Sequence, residues 1–525
     1  MRCSLSVLFL TVRVGASGNT TVHGANDEAV GGVKLALTQH LLDYIVGVAK
    51  PSALEFFEQF QFPDPVVKGD DYSISWSVGG VKLGGGMDAD FALDLVEPSS
   101  LRIEISNLRL SVSASLRATE DIWPHPSLDI GIGGDADGSS ASATLSVATD
   151  GYGVPSLSLD TCTPTIQVNN VHVTGGLIWP FDQLADLVIN SYKDDLVSQL
   201  GPMICDTGIR DELLRTIVNP SLRAWTYTIP LPLPAPYDQA VLDYHLTATP
   251  VVASAGYLEA AASSRVDVAG VKSLLPIPVM PTLTAAQLGA RMLTAQLSPY
   301  VLNTALDGFQ KHGLIRTSLT PSMLPDALRG VLNTDFFSLL LPRLAEAYPH
   351  GDLILNLSAT AVPVVSFARK GATVKVDAEA AFFVAPSATK GSALSAFSML
   401  CPSLETTVVI RATSGPAPAL TAEVGGVNVR LQAGKSSFGT LGPEVIALLS
   451  EPLNQILNSV VIPLANRIIA PGIPIPQVDE TVGGYRFQLA VTQPEITKED
   501  GFGLIATDIS ASITPAAVSA AATAR

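Results

Sequence analysis

The sequence predicts an α+β fold of two related domains, and three observations carry that prediction. An apolar-striped helix is followed by alternating strands and then a second long helix; that succession occurs twice; and the composition is rich in turn residues. A chain of 525 residues is too long for one ordinary core, and two domains are the simplest count. Hydrophobic residues make up 47% and charged ones 15%, with 42 Gly and 37 Pro, which suits a folded, β-rich chain with many turns and excludes wholesale disorder. The mean hydropathy of +0.35 is high for a protein in water. No uninterrupted apolar run of about eighteen residues follows the N-terminus, so no transmembrane segment is expected in the mature chain, and the apolar excess must be buried or line something.

Residues 31–49 read GGVKLALTQHLLDYIVGVA, with Val33, Leu37, Leu41, Tyr44, Ile45 and Val48 at helical spacing, and an amphipathic helix is expected there. Tyr72, Ile74, Trp76 and Val78 alternate with serines, the period-two signature of a strand with one wet face. From Leu101 the apolar residues alternate through Ile105, slip register at Ser106-Asn107 and resume from Leu108 to Leu116, which reads as a bulge in a long, bent strand. Asn169-Asn170 repeats the device between Ile166, Val168 and Val171, Val173. Helical spacing returns over residues 181–203 through Phe181, Leu184, Val188, Leu196, Leu200 and Met203. The run TIPLPLPAP at 228–236 excludes helix and central strand and favours an extended connector, and LPIPVMP at 275–281 closes the region it opens.

The second half replays the first. A helix is expected at 299–311, carrying Tyr300, Val301, Leu302, Leu306 and Phe309. Strands follow at Leu353, Leu355, Leu357, at 374–382, and at Val427, Val429, Leu431. A long helix then runs through Val445, Leu449, Leu453, Ile456, Leu457, Val460, Leu464 and Ile468, bent at Pro452 and Pro463. The repetition implies an internal structural repeat. The expected divisions are a signal peptide at 1–18, a first domain at 27–228, a proline-rich connector and central region at 229–283, a second domain at 284–509, and a small-residue tail without structure at 510–525.

Formal charge is −17 and the pI near 4.8, so the field around the protein repels phosphate backbones, and nucleic acid is excluded as a partner. The short apolar leader and the sequons at Asn19 and Asn356 fit a secreted or lumenal protein carrying glycans. Of the four cysteines, Cys3 leaves with the leader and Cys401 stands alone. Cys162, just before a strand-like run, and Cys205, just after a helix-like one, suit a helix-to-strand staple; a metal site would need a CxxC or neighbouring His that they lack.

Four stretches resemble the lipid-transfer family of bactericidal/permeability-increasing protein, lipopolysaccharide-binding protein, cholesteryl ester transfer protein and phospholipid transfer protein. They are Val33-Lys34-Leu35 leading into Leu42-Asp43-Tyr44; Cys162 through Val171-His172-Val173 to Cys205; Asn303-Thr304-Ala305; and Ile462-Pro463-Leu464-Ala465-Asn466 leading into Gly472-Ile473-Pro474-Ile475-Pro476. The resemblance implies an elongated boomerang of two lipid-binding barrels, each a strongly twisted antiparallel sheet wrapped round a long helix, joined by a central β-sheet. It also implies a disulfide between Cys162 and Cys205 and an apolar pocket for phospholipid acyl chains in each barrel. Leu37, Leu41, Ile45, Leu184, Val188, Leu196, Val301, Leu306, Phe309, Leu453, Ile456 and Val460 are the helix-face residues expected to line those pockets; periodicity alone makes them packed core. Antibacterial members of the family present basic residues at the tip of the first barrel, whereas the corresponding loops here, 64–71 and 117–126, carry more acids than bases. A solvated charge run is the ordinary reading of such loops, although Trp123 has the chemistry of a membrane-interface anchor.

Catalytic signatures are missing from the sequence. It contains no GxSxG elbow, HExxH helix or P-loop, and its seven histidines are scattered, so no enzyme activity, cofactor or metal is expected. GIGGDADG at 131–138 is followed by no helix pattern and lacks the terminal Glu of a calcium loop, and reads as a polar hairpin turn. The expected function is capture and transfer of lipid, with phospholipid foremost and a transient contact with membranes. The competing readings are a lipopolysaccharide-binding module, disfavoured by the acidic balance, and a structural protein with filled barrels.

Overall fold

The computed structural model describes residues 30–59, 67–71, 74–120, 127–174, 203–223, 227–231, 233–386, 393–414, 418–475, 477–482 and 485–515. Within them, four antiparallel sheets carry the architecture. The N-terminal sheet is dominated by three long strands, Ile74–Val96, Ser100–Glu120 and Ser127–Thr149, with Pro155–Thr165 at one edge. The C-terminal sheet is built on Leu353–Ala359, Gly371–Val384, Leu394–Thr413 and Ala419–Val427. A seven-stranded central sheet gathers strands from both chain ends, with Val33–Thr38 paired on one side to Tyr257–Ala262 and on the other to Leu293–Leu297. The fourth sheet holds Arg265–Val268, Gln239–Asp243 and, at its edge, Tyr227–Pro230, so the proline-rich run enters only an edge strand, where a missing N–H is tolerated.

The long strands bend where the sequence breaks its alternation. Pairing of Ser100–Glu120 with Ser127–Thr149 shifts between Ile105 and Leu108, and Asn107 there takes a φ of 52°. Asn169-Asn170 behaves alike: Gly133 faces His172 while Asp135 faces Asn169, leaving one extra residue in the strand Val168–Thr174. Residues 131–138 are not the hairpin turn the sequence suggests but lie inside the continuous strand Ser127–Thr149. Register jumps from Leu108↔Ser139 to Leu110↔Ala136, and the extra residue is taken up at Asp137-Gly138, where Gly138 adopts φ +75°. An Asp-Gly pair supplies the left-handed conformation that a bulge uses as readily as a turn does.

Residues 31–49 divide into two elements. Val33–Thr38 is strand, and the helix begins at Gln39 and runs to Gln59. The segment VKLALT fits both periods, and pairing on both sides decides for strand. Gly32 is needed at the entry, because a Cβ there would stand 2.3 Å from the Ser263 carbonyl oxygen. At the other chain end, Tyr485–Glu499 and Phe502–Pro515 pair with each other and join the central sheet, so residues 485–509 do not close the C-terminal barrel and 510–515 are strand rather than tail. Phe487, Leu489 and Ile509 share the core of Leu41 and Ile45, and the Ala511 N–H donates to Tyr44 Oη at 3.0 Å.

The last long helix is Pro443–Ile456, with Pro452 inside it; Leu457–Val461 widens to a π-turn, and Ile462–Ile469 restarts with Pro463 in its first turn. Both prolines sit where the axis was expected to bend, since each removes a backbone donor. By length and composition Pro443–Ile469 could cross a membrane, but Val445, Leu449, Leu453 and Ile456 are buried against the C-terminal sheet. The strand expected through Leu431 stops at Val427.

Cys162 and Cys205 form a disulfide with Cα atoms 5.8 Å apart, and both lie inside their elements, Pro155–Thr165 and the π-wound helix Met203–Val218, rather than at the flanks. Closing a separation of 43 residues stabilises the fold by about 4 kcal/mol on the loop-entropy model. Cys162→Ala is expected to lower the melting temperature by several degrees in calorimetry under oxidising conditions; an unchanged transition would contradict a stabilising staple.

Candidate ligand-binding faces

The N-terminal helix lies on its sheet through an apolar stripe. Leu37 at the end of the preceding strand, and Leu41 and Ile45 on the helix, are buried among Leu93, Leu101, Ile103 and Leu145 of the sheet and Leu214 and Val218 of the helix Met203–Val218. Three of the residues expected to line a pocket are therefore surrounded by protein at this end of the domain. Leu184, Val188 and Leu196 lie outside the described residues, as does Asn19. Asn356 sits on a strand paired on both sides with its amide oxygen buried, an awkward place to carry a glycan.

The C-terminal domain has two unlike ends. One is solid: Phe382 and Phe397 stack at 4.5 Å, Phe337 meets Phe397 edge-on at 5.1 Å, and Leu453 and Ile456, each 1% exposed, belong to the same core. Cys401 lies in that core too, and burial pushes its thiol up to about 12. A thiol so far from ionising is a poor nucleophile.

At the other end the apolar inner face is only partly buried. Strand alternation and cross-strand register place Val374, Val376 and Ala378, Ile410, and Ala422, Val424 and Val427 on the inner face of the sheet, yet all seven side chains are partly exposed. Val460 and Val461 of the C-terminal helix are partly exposed beside them. On the other flank stands the central helix, Pro299–Lys311, whose Leu302 and Leu306 pack towards Val365, Phe367 and Val408. Its Val301 and Phe309 face the three-stranded sheet instead, against Val266 and Val268. Of the expected pocket residues, Leu306 and Val460 are thus the ones that border a partly exposed apolar face.

What closes the curled sheets is a set of carboxamides that periodicity did not single out. Each sheet leaves strand edges with no neighbouring strand among the described residues, and a free edge inside a fold must have its N–H and C=O groups satisfied. Asn219 accepts from the Leu157 N–H at 2.9 Å and donates to the Leu157 carbonyl at 3.0 Å. Asn303 does the same to Val365 at 2.7 and 3.2 Å, Asn458 to Val427 at 2.9 and 2.9 Å, and Asn466 to Val424 at 2.7 and 2.9 Å. Gln39 spans two residues, accepting from Leu95 N–H at 3.2 Å and donating to the Leu93 carbonyl at 2.7 Å. A side-chain amide offers one donor and one acceptor side by side, as a peptide unit does, so a helix bearing it can stand in for the missing strand. Asn303 and Asn466 fall within the stretches that carry the family resemblance, which gives those motifs a physical reason. The signal that could have found them is a lone amide beside the apolar stripe of a helix.

Charged groups are spent on structure. Lys34, wholly buried, pairs with Glu259 at 2.9 Å and donates to the carbonyls of Met280 and Pro281. Arg265 joins Asp243 and Asp267; burial works to lower its pKa, but those hydrogen bonds and charges outweigh it and raise it. His245 bonds Asp243 through Nδ1, and at the surface the His350 hydrogen bond holds Asp335 below the usual carboxylate range. Among the described residues no group of His, Cys, Asp and Glu could hold a metal ion.

Curled antiparallel sheets closed by helices over apolar inner faces define the tubular lipid-binding class of fold. The crystal structure of lipopolysaccharide binding protein superposes with a TM-score of 0.53 at 18% identity, covering 92% of this chain and 99% of that one. The C-terminal domain of the LBP / BPI / CETP family matches residues 237–495. Bactericidal permeability-increasing protein of Sebastes schlegelii is 24% identical over 91% of this chain and 95% of its own length, and human lipopolysaccharide-binding protein is 26% identical over 73% and 75%. Residues 237–495 thus place the C-terminal half of the chain in the LBP / BPI / CETP family, and the likeness to its members runs over most of the chain. Replacing an edge amide tests its role: Asn303→Leu should cost about 2–4 kcal/mol in urea denaturation, because it leaves the Val365 N–H and C=O without partners, whereas a loss under about 0.5 kcal/mol would mean the edge does not need it.

Proposed function

We propose that the protein binds lipid by its acyl chains and carries it between membranes, without covalent chemistry. The observation that carries this reading is the inner face of the C-terminal sheet, where apolar side chains that alternation turns inward are left partly exposed between the aromatic core and the central helix. A protein filling its own interior would bury Val374, Val376 and Ile410 as it buries Phe382 and Leu355. At about 0.8 kcal/mol per buried methylene, one long acyl chain gains on the order of 10 kcal/mol, enough for retention, so loading and release need a membrane to share the hydrocarbon. Family membership supports lipid as the ligand; phospholipid is our choice within that class. Leu184, Val188 and Leu196 are proposed to meet lipid in the N-terminal domain, and the disulfide and leader-like N-terminus support a secreted or lumenal carrier.

Relatives named for lipopolysaccharide favour a second reading, capture of lipid A by its phosphates. A net charge of −17 opposes it, since long-range attraction to an anionic glycolipid would have to come from a local exception to the field of the whole chain. Organic extraction of protein purified from its natural source, followed by mass spectrometry, is expected to recover phospholipid at one or more molecules per chain, and Val376→Asp should reduce that yield at least about twofold by placing a carboxylate on the face. Lipid-free protein from several hosts would overturn the proposal, and recovery of lipid A alone would replace it with the second reading.

A further inference from the structure

We infer that the seam between the C-terminal helix and strand Ala419–Val427 is the aperture through which an acyl chain reaches the partly exposed face, with Asn458 and Asn466 as its latches. This rests on the lipid reading above. The boundaries of that face differ in how they are held. Strand Leu394–Thr413 is laddered to Gly371–Val384 on one side and to Ala419–Val427 on the other. The central helix is backed by Val365, Phe367 and Val408, all buried. Along Val424–Val427 helix meets strand with no backbone ladder: two carboxamides supply four hydrogen bonds there, and the edge is laddered only at its other end, where Ile473–Pro474 pairs with Ala419–Leu420.

Three features let this boundary part while the sheet stays whole. From Leu457 to Ile469 only Leu457 is buried and the other side chains are half-buried or exposed, so lifting this stretch uncovers less apolar surface than parting the sheet would. It is jointed at both ends: regular helix gives way to a π-turn at Leu457, ahead of both latches, and Gly472, at φ +73°, turns the chain on the other side before Ile473–Pro474 pairs with Ala419–Leu420. Between the latched residues stand Gly425 and Gly426, where the strand bulges against Leu394–Thr413, so no side chain lies across the opening. The latches hold the edge in the closed state, where an apolar interior offers its N–H and C=O groups no water, and release it at a membrane, where interfacial water and lipid headgroups can take over.

The test staples the seam. A Cβ on Gly426 would lie 3.0 Å from Asn458 Oδ1 and 3.9 Å from its Cγ, so side chains at the two positions meet, and Gly426→Cys with Asn458→Cys is the pair to oxidise, with the bond verified by non-reducing peptide mapping before loading. In a Cys401→Ser background, phosphatidylcholine bearing a photoactivatable acyl chain is presented in vesicles, and cross-links on the strands spanning 374–427 are followed with time by peptide mass spectrometry. Oxidised protein should label on the order of tenfold more slowly than the same protein reduced, lipid loaded before oxidation should stay trapped, and the background protein in the same two conditions gives the reference. Equal labelling rates in the oxidised and reduced variant would overturn the aperture. Asn466→Ala gives a second line independent of the staple: faster loading and faster release at unchanged final occupancy support the latch, and unchanged rates refute it. No cross-link on this face in the unstapled protein at any time would remove the binding face itself, and the aperture with it, so the two failures are told apart.

Discussion

A curled sheet that does not close on itself has two free edges, and what those edges do with their N–H and C=O groups governs this molecule. A full barrel would pair edge with edge and enclose whatever its inner side chains left over. Here helices lie along the edges instead, each offering a carboxamide that reads to the strand like one more peptide unit. Because the edge is satisfied by a side chain rather than a ladder, the helix is free to stand away from the middle of the sheet. An apolar inner face can then persist without unpaired backbone at its border.

The two ends of the C-terminal domain show the alternatives. Around Phe337, Phe382 and Phe397, aromatic rings and the Leu449–Leu453–Ile456 stripe consume the space between helix and sheet, and nothing is left for a guest. Past Leu457 the helix changes pitch, the inward side chains are valine, alanine and one isoleucine, and they are only partly buried. The same helix thus packs at one end and borders a ligand face at the other. Stability is concentrated where the aromatics are, and the proposed movement falls to a stretch whose side chains, Leu457 aside, are half-buried or exposed.

Much of the architecture was legible because it rests on periodicity. Alternation located the long strands, and its slips at Ser106-Asn107 and Asn169-Asn170 located their bends, since a bulge must show as a missed beat. Pro452 and Pro463 marked the broken helix for the same local reason. Tertiary facts were not legible. Val33–Thr38 fits helix and strand alike until its neighbours on both sides are known, and the Tyr485–Pro515 hairpin belongs to the core of a helix more than four hundred residues earlier in the chain. Pocket-facing residues were chosen by apolarity, which selects packed core such as Leu41 and Leu453 as readily as a ligand face. Two of the five amides that hold the edges, Asn303 and Asn466, stand in the family stretches, but their role needs the strand opposite, which no spacing reveals.

The dependence of the fold on its edge amides is open to hydrogen exchange read residue by residue. The N–H groups of Leu95, Leu157, Val365, Val424 and Val427 have side-chain oxygens as their acceptors. They should exchange more slowly than unprotected amides by factors on the order of a hundred or more, close to ladder neighbours such as Val408. Exchange at the rate of a solvent-facing strand edge at all five would contradict the account.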